Sequence, residues 1–250
     1  MLNTVIHGVA TDQPPLLIAH GLFGSARNWG VIAKRLSDTR QVVAVDMRNH
    51  GDSPWTDSHS YPDLADDLAQ VINAHGGRMD VLGHSMGGKA AMVLALQHAD
   101  LVKRLIVADI APVGYSHTQM GPLNAMRSVD LSAVAARRDA QAQMDLDIPT
   151  ATFLLQSLDL QNKRWTLNLD TLANEMDKIV GFPDVTGTFA GPVLFLRGAT
   201  SAYVDPESEP LIRRLFPAAT IDTVAEAGHW LHAEQPRATE TAIRRFLGAS

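Results

Sequence analysis

The first hundred or so residues alternate short apolar runs with amphipathic stretches, and most of the runs end at a polar residue or a glycine. Runs rich in β-branched residues predict strands, and apolar positions that recur every three or four residues predict helices. The predicted strands lie at 16–19, 41–45, 79–82 and 102–108, and the predicted helices at 26–36, 61–74 and 88–98. This alternation is typical of βαβ units and therefore of a parallel sheet.

The pattern changes after this region. Between residues 112 and 188 no strand-like run is longer than a few residues, and helical patterns at 132–144, 149–158 and 170–180 take over. Strands are predicted again at 192–196 and 219–225, with helices at 207–216 and 237–247. Because strands stand on both sides of the helical segment, we predict an α/β core formed by 1–111 and 189–250, with a helical cap at 112–188 inserted into it. The predicted fold is a mostly parallel, twisted sheet with helices on both faces.

Composition narrows the classes of function. The chain has 250 residues, of which 46% are hydrophobic and 19% charged, which excludes a disordered or collagen-like protein. Its net charge of −6 disfavours nucleic acid and anionic membranes as partners. The absence of cysteine excludes disulfides, a thiolate nucleophile and cysteine-ligated zinc. With no apolar run of about 18 residues and no secretion signal at the start of the sequence, we expect a soluble, cytoplasmic protein.

Residues 83–87 read G-H-S-M-G and match the pattern G-x-S-x-G between a predicted strand and a predicted helix. A serine at such a sharp turn has a strained backbone, and its neighbours at −2 and +2 must be small so that strand and helix can approach each other. The positive end of the following helix would point at Ser85, where negative charge develops during attack on an acyl carbon. We therefore take Ser85 as the candidate nucleophile.

A serine hydroxyl becomes nucleophilic only when a base accepts its proton, so the hypothesis needs a histidine and an acid later in the chain, in the order Ser, Asp, His. His229 lies just after the last predicted strand and is the candidate base. Asp109 and Asp205 are the two candidates for the acid. Asp109 is favoured because it stands directly at the tip of a predicted strand.

Three motifs in order resemble those of the cap-bearing α/β hydrolases. Residues 20–25 (H-G-L-F-G-S) resemble the oxyanion loop of that family, residues 46–53 (D-M-R-N-H-G-D-S) resemble its second loop, and residues 83–87 resemble its nucleophile turn. The R-N-H-G form at 48–51 resembles a narrower group, the small bacterial esterases of the YbfF type and their mitochondrial relatives. The resemblance covers essentially the whole chain and implies an α/β-hydrolase fold and a serine esterase.

The same resemblance implies particular roles for individual residues. In the narrower group the acid is the aspartate after the earlier strand, with a serine near the later position, and Asp109 and Ser201 match both. Ser201 is thus a candidate auxiliary residue. The backbone amides of Leu22 and Met86 would form the oxyanion hole.

Two other classes of function compete with the esterase. Gly83, Gly88 and Lys89 make most of a phosphate-binding loop, but Ala90 stands where that motif needs Ser or Thr to bind Mg²⁺, and the motif leaves Ser85 and the histidines unexplained. A hydrolase-fold protein that only binds ligands would be expected to have lost one member of the triad, and all three residue types are present.

The remaining expectations concern ligands. No H-E-x-x-H or similar metal motif occurs, and no cofactor is implied. We interpret the turn at 48–51 as architectural. In the cap, Met120, Phe153, Leu154 and Trp165 would either line an acyl pocket or form the cap's own core, and core packing is favoured for each. The expected substrate is a small ester or thioester; C–C bond and lactone hydrolysis use the same groups, and the oligomeric state is left open.

Overall fold

The computed structural model describes residues 1–248, and its strands are centred on one mostly parallel sheet. The strands are β1 (Thr4–His7), β2 (Leu16–Ala19), β3 (Val42–Val45), β4 (Met79–His84), β5 (Val102–Ala108), β6 (Leu158–Asp159), β7 (Arg164–Trp165), β8 (Val193–Gly198) and β9 (Ala219–Val224). Within the described residues, seven of them form a sheet in the order β1-β3-β2-β4-β5-β8-β9. Only β1 pairs antiparallel in that sheet. The predicted fold class is confirmed.

The helices cover both faces of the sheet. They are α1 (Gly30–Leu36), α2 (Tyr61–Ala74), α3 (Met86–Gln97), α4 (Met120–Arg127), α5 (Arg137–Gln141), α6 (Ile148–Leu154), α7 (Leu169–Asn174), α8 (Met176–Val180), α9 (Glu209–Leu215), α10 (Leu231–Glu234) and α11 (Pro236–Leu247). In the part of the chain that the structure describes, no helix is long and apolar enough to cross a bilayer.

Alternate residues of the strands enter two different hydrophobic cores. Leu16 and Ile18 of β2 pack with α1 and α11 on one face, whereas Leu17 and Ala19 pack with α2 and α3 on the other. Successive side chains of a strand point to opposite faces, so a central strand covered on both sides is apolar at every position. This explains why the predicted strands are continuous apolar runs.

The segment between β5 and β8 carries α4 to α8 and differs in detail from the predicted helices. The helix predicted at 132–144 is shorter in the structure, where only α5 forms. It begins later than predicted because the Asp139 carboxylate accepts the amides of Ala135 and Ala136 and caps the helix there. A small hairpin, β6 and β7, stands where no strand was predicted, and it turns at Lys163, which has a φ of 52°. The division into core and cap at 112 and 188 stays a prediction, and residues 249 and 250 of the predicted core lie outside the described residues.

The carboxyl ends of the parallel strands meet at one edge of the sheet, where ligands bind in open α/β sheets. The loop after β2 carries Leu22, the turn after β4 carries Ser85, and Asp109 follows β5. Ser201 follows β8, and His229 lies in the loop after β9. The sheet topology alone therefore assembles all the candidate residues at one edge.

Candidate active site

Ser85 occupies a strained turn between β4 and α3. Its φ of 53° and ψ of −120° lie in a region of backbone angles that residues other than glycine rarely adopt. A Cβ atom on Gly83 would lie 2.2 Å from the Gly87 carbonyl oxygen, and one on Gly87 would lie 2.4 Å from the His20 carbonyl oxygen. Both positions therefore require glycine, because β4, α3 and the loop after β2 converge behind the serine.

A continuous hydrogen-bonded chain joins three of the predicted residues. The Asp109 carboxylate only accepts, so His229 Nδ1 donates to Asp109 Oδ2, at 2.7 Å. His229 Nε2 is then free to accept from Ser85 Oγ, at 3.0 Å. This is the tautomer that a general base needs in order to take the serine proton.

The Asp109 side chain is fully buried, with 0% exposure, and its carboxylate accepts hydrogen bonds from two further groups besides His229. The Gly198 amide donates to Oδ1 at 2.9 Å, and the Ser201 hydroxyl donates to Oδ2 at 2.5 Å. Asp205 lies elsewhere: it is exposed, and it accepts the Ser208 amide at 2.7 Å. The structure thus brings Ser201 to the carboxylate next to His229, and it places Asp205 at a turn.

The two predicted oxyanion donors flank Ser85. Met86 is the first residue of α3, so its amide has no acceptor within the helix. Leu22 follows Gly21, on which a Cβ would lie 3.1 Å from Ser85 Cβ, so the loop after β2 passes very close to the serine. Both residues line the same cavity as Ser85.

Two histidines that the sequence analysis did not assign to the site hold this loop on either side of Leu22. His20 Nδ1 donates to the Gly21 carbonyl at 2.7 Å, and His20 Nε2 accepts the Met47 amide at 3.0 Å. His50 Nε2 accepts the Phe23 amide at 3.1 Å. Phe23 has a φ of 63°, so its unusual backbone is fixed by this bond. The turn at 48–51 therefore does supply structure, and it does so through a side chain that reaches the oxyanion loop.

These imidazoles can make their bonds only when they are neutral. His50 Nδ1 donates to the Arg48 carbonyl at 2.9 Å, which leaves Nε2 unprotonated for the Phe23 amide. Burial lowers the pKa of His20, and it lowers the pKa of His50 well below the usual value, with a further decrease from the neighbouring imidazoles. His20 and His50 thus hold the loop that carries Leu22 without a charge of their own.

The loop that carries His229 is held by a carboxylate. Glu234 of α10 accepts the Gly228 amide at 2.7 Å through Oε2 and the Trp230 amide at 3.2 Å through Oε1. His84 Nε2 donates to the His229 carbonyl at 2.8 Å. The backbone of His229 is therefore held on both sides and at its own oxygen. Sequence reasoning missed Glu234 because nothing local marks a glutamate that accepts from amides upstream of its own helix.

A cavity of about 330 Å³ opens above Ser85 between the sheet edge and the segment 112–188. Phe153 and Leu154 line it, and the Phe153 ring lies 5.5 Å from the Trp230 ring. Trp165 is instead buried in the core, where its Nε1 donates to the Met126 carbonyl. Met120 is partly buried and packs against that core. Of these four, Phe153 and Leu154 belong to the cavity rather than to core packing alone.

Within residues 1–248, no three His, Asp or Glu side chains come together in a way that could hold a metal ion.

Comparison with known proteins gives a consistent result. A family model described as alpha/beta hydrolase fold matches residues 14–236. The chain is 42% identical to the sn-1-specific diacylglycerol lipase ABHD11 of Mus musculus, over 97% of this chain and 83% of that protein. It is 37% identical to the esterase YbfF of Escherichia coli K12, over 94% of each chain. A solved structure described as a marine microorganism esterase superposes with a TM-score of 0.92, at 36% identity and 98% coverage of both chains.

Proposed function

Because this chain belongs to the α/β-hydrolase fold family, we propose that it is a serine esterase that hydrolyses carboxylic esters through an acyl-enzyme intermediate. The observation that carries the proposal is the hydrogen-bonded chain from Ser85 Oγ through His229 to the buried Asp109 carboxylate. A hydroxyl, an imidazole and a carboxylate in this order are the groups that acyl transfer needs.

The proposed reaction has two halves. In the first, His229 Nε2 takes the proton of Ser85 Oγ while the oxygen attacks the acyl carbon, and the carbonyl oxygen becomes an oxyanion that the amides of Leu22 and Met86 stabilise. The intermediate collapses when the imidazolium protonates the leaving alcohol, which leaves the acyl group on Ser85. Water then attacks with His229 as the base, the imidazolium returns this proton to Ser85 Oγ as the ester bond to Ser85 breaks, and the carboxylic acid is released. Asp109 stays ionised and stabilises the imidazolium in both halves.

The rival phosphate-binding hypothesis is disfavoured by the turn after β4. Ala90 stands where that motif needs a Ser or Thr hydroxyl to bind Mg²⁺. Ser85 Oγ, which has no role in that motif, is hydrogen-bonded to His229 Nε2 at 3.0 Å. Saturable nucleotide binding with Mg²⁺-dependent ATP hydrolysis would restore that hypothesis.

Replacement of the proposed nucleophile tests the proposal directly. We expect Ser85→Ala to fold normally and to lose on the order of 10⁶ in kcat, because no other group can form the acyl-enzyme. A fluorophosphonate probe should label the wild type and the exposed-site control Ser128→Ala, and should fail to label Ser85→Ala. Ester turnover close to wild type in a folded Ser85→Ala protein would refute the serine mechanism.

A panel of esters tests the acyl preference and the thioester activity together. Each methylene that fits the cavity should raise kcat/KM by up to about fourfold, because its burial is worth roughly 0.8 kcal/mol. Phe153→Ala should move the optimum to longer p-nitrophenyl esters. Trp165→Ala should instead lower the free energy of unfolding, by about 3–5 kcal/mol. Acyl-CoA thioesters in the same panel show whether the site also accepts a thiol leaving group.

A further inference from the structure

Lys89 is a buried cation in the wall of the active-site cavity. It lies in the first turn of α3, and its amide donates at 3.0 Å to the carbonyl of Ser85, the non-helical residue that precedes this helix. Its side chain lines the cavity and the residue is only 1% exposed. Among the described residues that line this cavity, none is an aspartate or a glutamate, and Lys89 is the one lysine or arginine.

The ammonium has neutral partners only. Besides the carbonyls of Val180 and Gly181, it lies 4.7 Å from the centre of the Tyr115 ring and 5.8 Å from that of Tyr61. Within residues 1–248 it makes no ion pair. Three N–H groups thus meet two carbonyl acceptors, and the positive charge is not neutralised. Burial alone lowers the pKa of Lys89 to about 7.

An uncompensated buried charge is costly, so its retention requires a reason. Attachment of α8 to α3 is one function of Lys89, but a neutral side chain could also bridge these helices. What only a cation adds is attraction for an anion in the cavity. The lowered pKa means that such an anion would also keep the amine protonated at neutral pH.

We propose that Lys89 recognises a carboxylate at the far end of the acyl chain, so that the preferred substrates are monoesters of short dicarboxylic acids. The acyl side is favoured because the acyl chain is attached to Ser85, which lines the same cavity as Lys89 and accepts its amide, whereas the leaving group departs towards His229. The two residues are close along the chain and the lysine stem adds reach, which suits diacids of about four to six carbons. This inference rests on the proposed esterase function.

The first test uses the wild type alone. We compare kcat/KM for monomethyl glutarate with that for methyl pentanoate, which has the same chain length and no charge. The charged ester should be preferred by about tenfold or more at pH 6. Its carboxylate can form a charge-assisted hydrogen bond with Lys89, and methyl pentanoate has no group that can form this bond. The preference should fall as pH rises through about 7, where free Lys89 loses its proton. The catalytic groups act on both esters alike, so their own pH dependence cancels in the ratio.

The phenols and the buried imidazoles around Lys89 should not titrate between pH 6 and 8.5. The cavity lining also includes His117, an exposed residue hydrogen-bonded to the Tyr203 hydroxyl at 2.9 Å. Burial raises the pKa of Tyr61 of α2 and of Tyr115 in the loop after β5, so both phenols stay neutral. On α8, Asp177 and Lys178 are exposed to solvent. Three imidazoles that line the cavity, those of His20, His84 and His232, have pKa values lowered by burial, so they stay neutral in this range.

The second test removes the charge. Lys89→Met keeps the length of the side chain and should bring the ratio of the two kcat/KM values to about one or below. Lys103→Met changes the net charge equally at an exposed site of β5 and should keep the wild-type ratio. Free glutarate should inhibit hydrolysis of the neutral ester by the wild type more strongly than pentanoate does, and this measurement holds even if Lys89→Met fails to fold.

The outcomes separate the two proposals. Absence of turnover by the wild type of these two esters and of every p-nitrophenyl ester in the panel would refute the esterase function itself. Turnover without a preference for monomethyl glutarate, or a preference that survives in Lys89→Met, would refute the role of Lys89 alone. A preference for 4-acetoxybutanoate over monomethyl glutarate would show that the anion is recognised in the leaving group, and would overturn the acyl assignment.

Discussion

The two sides of Ser85 are held in place by different chemistry. On one side, the loop that carries Leu22 is fixed by the neutral imidazoles of His20 and His50. On the other side, the loop that carries His229 is also bonded to one imidazole, that of His84. It is further fixed by carboxylates, through the side-chain bond to Asp109 and the backbone bonds to Glu234. Both sets of bonds fix backbone or ring geometry, but only the second set brings negative charge.

The difference matches the charge that would develop on each side during ester hydrolysis. In the proposed reaction an oxyanion would form near Leu22, and a carboxylate there would repel it, whereas a neutral imidazole can hold the backbone without opposing the charge. An imidazolium forms at His229, and a buried carboxylate stabilises it. We infer that the side chains that position each half of the site were constrained by charge as well as by geometry. The following experiments, in order of expected effect, test this comparison.

The largest effect should come from neutralising the carboxylate side. Asp109→Asn should lower kcat by about 10⁴, because an amide neither holds the required tautomer nor stabilises the imidazolium. Ser201→Ala should cost only the equivalent of one neutral hydrogen bond, roughly 0.5–1.5 kcal/mol. Steady-state kinetics of both variants, with Asp205→Asn as the matched control, measure the difference. If Asp205→Asn were inactive and a folded Asp109→Asn active, the acid would have been assigned to the wrong strand.

The next largest effect should come from the imidazole side. His50→Leu removes the acceptor of the Phe23 amide and should lower kcat by about 10²–10³ with little change in KM, as expected when an oxyanion donor is misplaced. His50→Gln restores an uncharged acceptor and should recover part of the rate. His98→Leu is the control, because His98 is a partly exposed histidine that pairs with Asp66. A uniform increase in KM with unchanged kcat would show that His50 does not position the oxyanion loop.

The imidazole side should also be sensitive to acid. Burial lowers the pKa of His59, which lies between His50 and Met86, to about 3. The unfolded chain binds a proton below about pH 6.5 and the folded protein does not, so the free energy of unfolding should fall as pH drops from 6.5 towards 3, by at most about 1.4 kcal/mol per pH unit for this group.

Urea unfolding at several pH values measures this slope. His59→Gln cannot take up the proton and should show a shallower decrease below pH 6.5, while His98→Gln should follow the wild type. Equal slopes for wild type and His59→Gln would mean that His59 is not held neutral.

The smallest effect should come from Glu234, which is exposed. Gln has one acceptor oxygen, so Glu234→Gln can keep one of the two amide bonds beside His229 and should lower kcat by roughly two- to fivefold. Glu234→Ala should lower it further, and Glu207→Gln, also at an exposed site, should have no effect. The rate of labelling by a fluorophosphonate should fall in parallel. If kcat of Glu234→Ala equalled that of the wild type, the loop would be held by His84 alone.

Much of the fold was accessible from the sequence because its determinants are local. The central strands are apolar at successive positions, and the apolar positions of the helices recur every three to four residues. Both patterns can be recognised within a short stretch of sequence. Strand β1 was missed because Val5 and Ile6 are largely exposed at the edge of the sheet, so no buried run marks it. The small hairpin was missed because strands of two residues carry no pattern of their own.

For the site, the sequence determined which residues were available, and in which order. The G-x-S-x-G turn, His229 and Asp109 follow from motif and position, and the structure brings them together, although their catalytic roles stay predictions. Only the tertiary structure decided how the elements around these residues are held. His50 contacts Phe23, Glu234 contacts Gly228, and Lys89 contacts Val180. These contacts join a side chain to the backbone of another loop or element, and backbone groups are the same at every residue. No pattern of residue types can therefore announce them before the loops are packed.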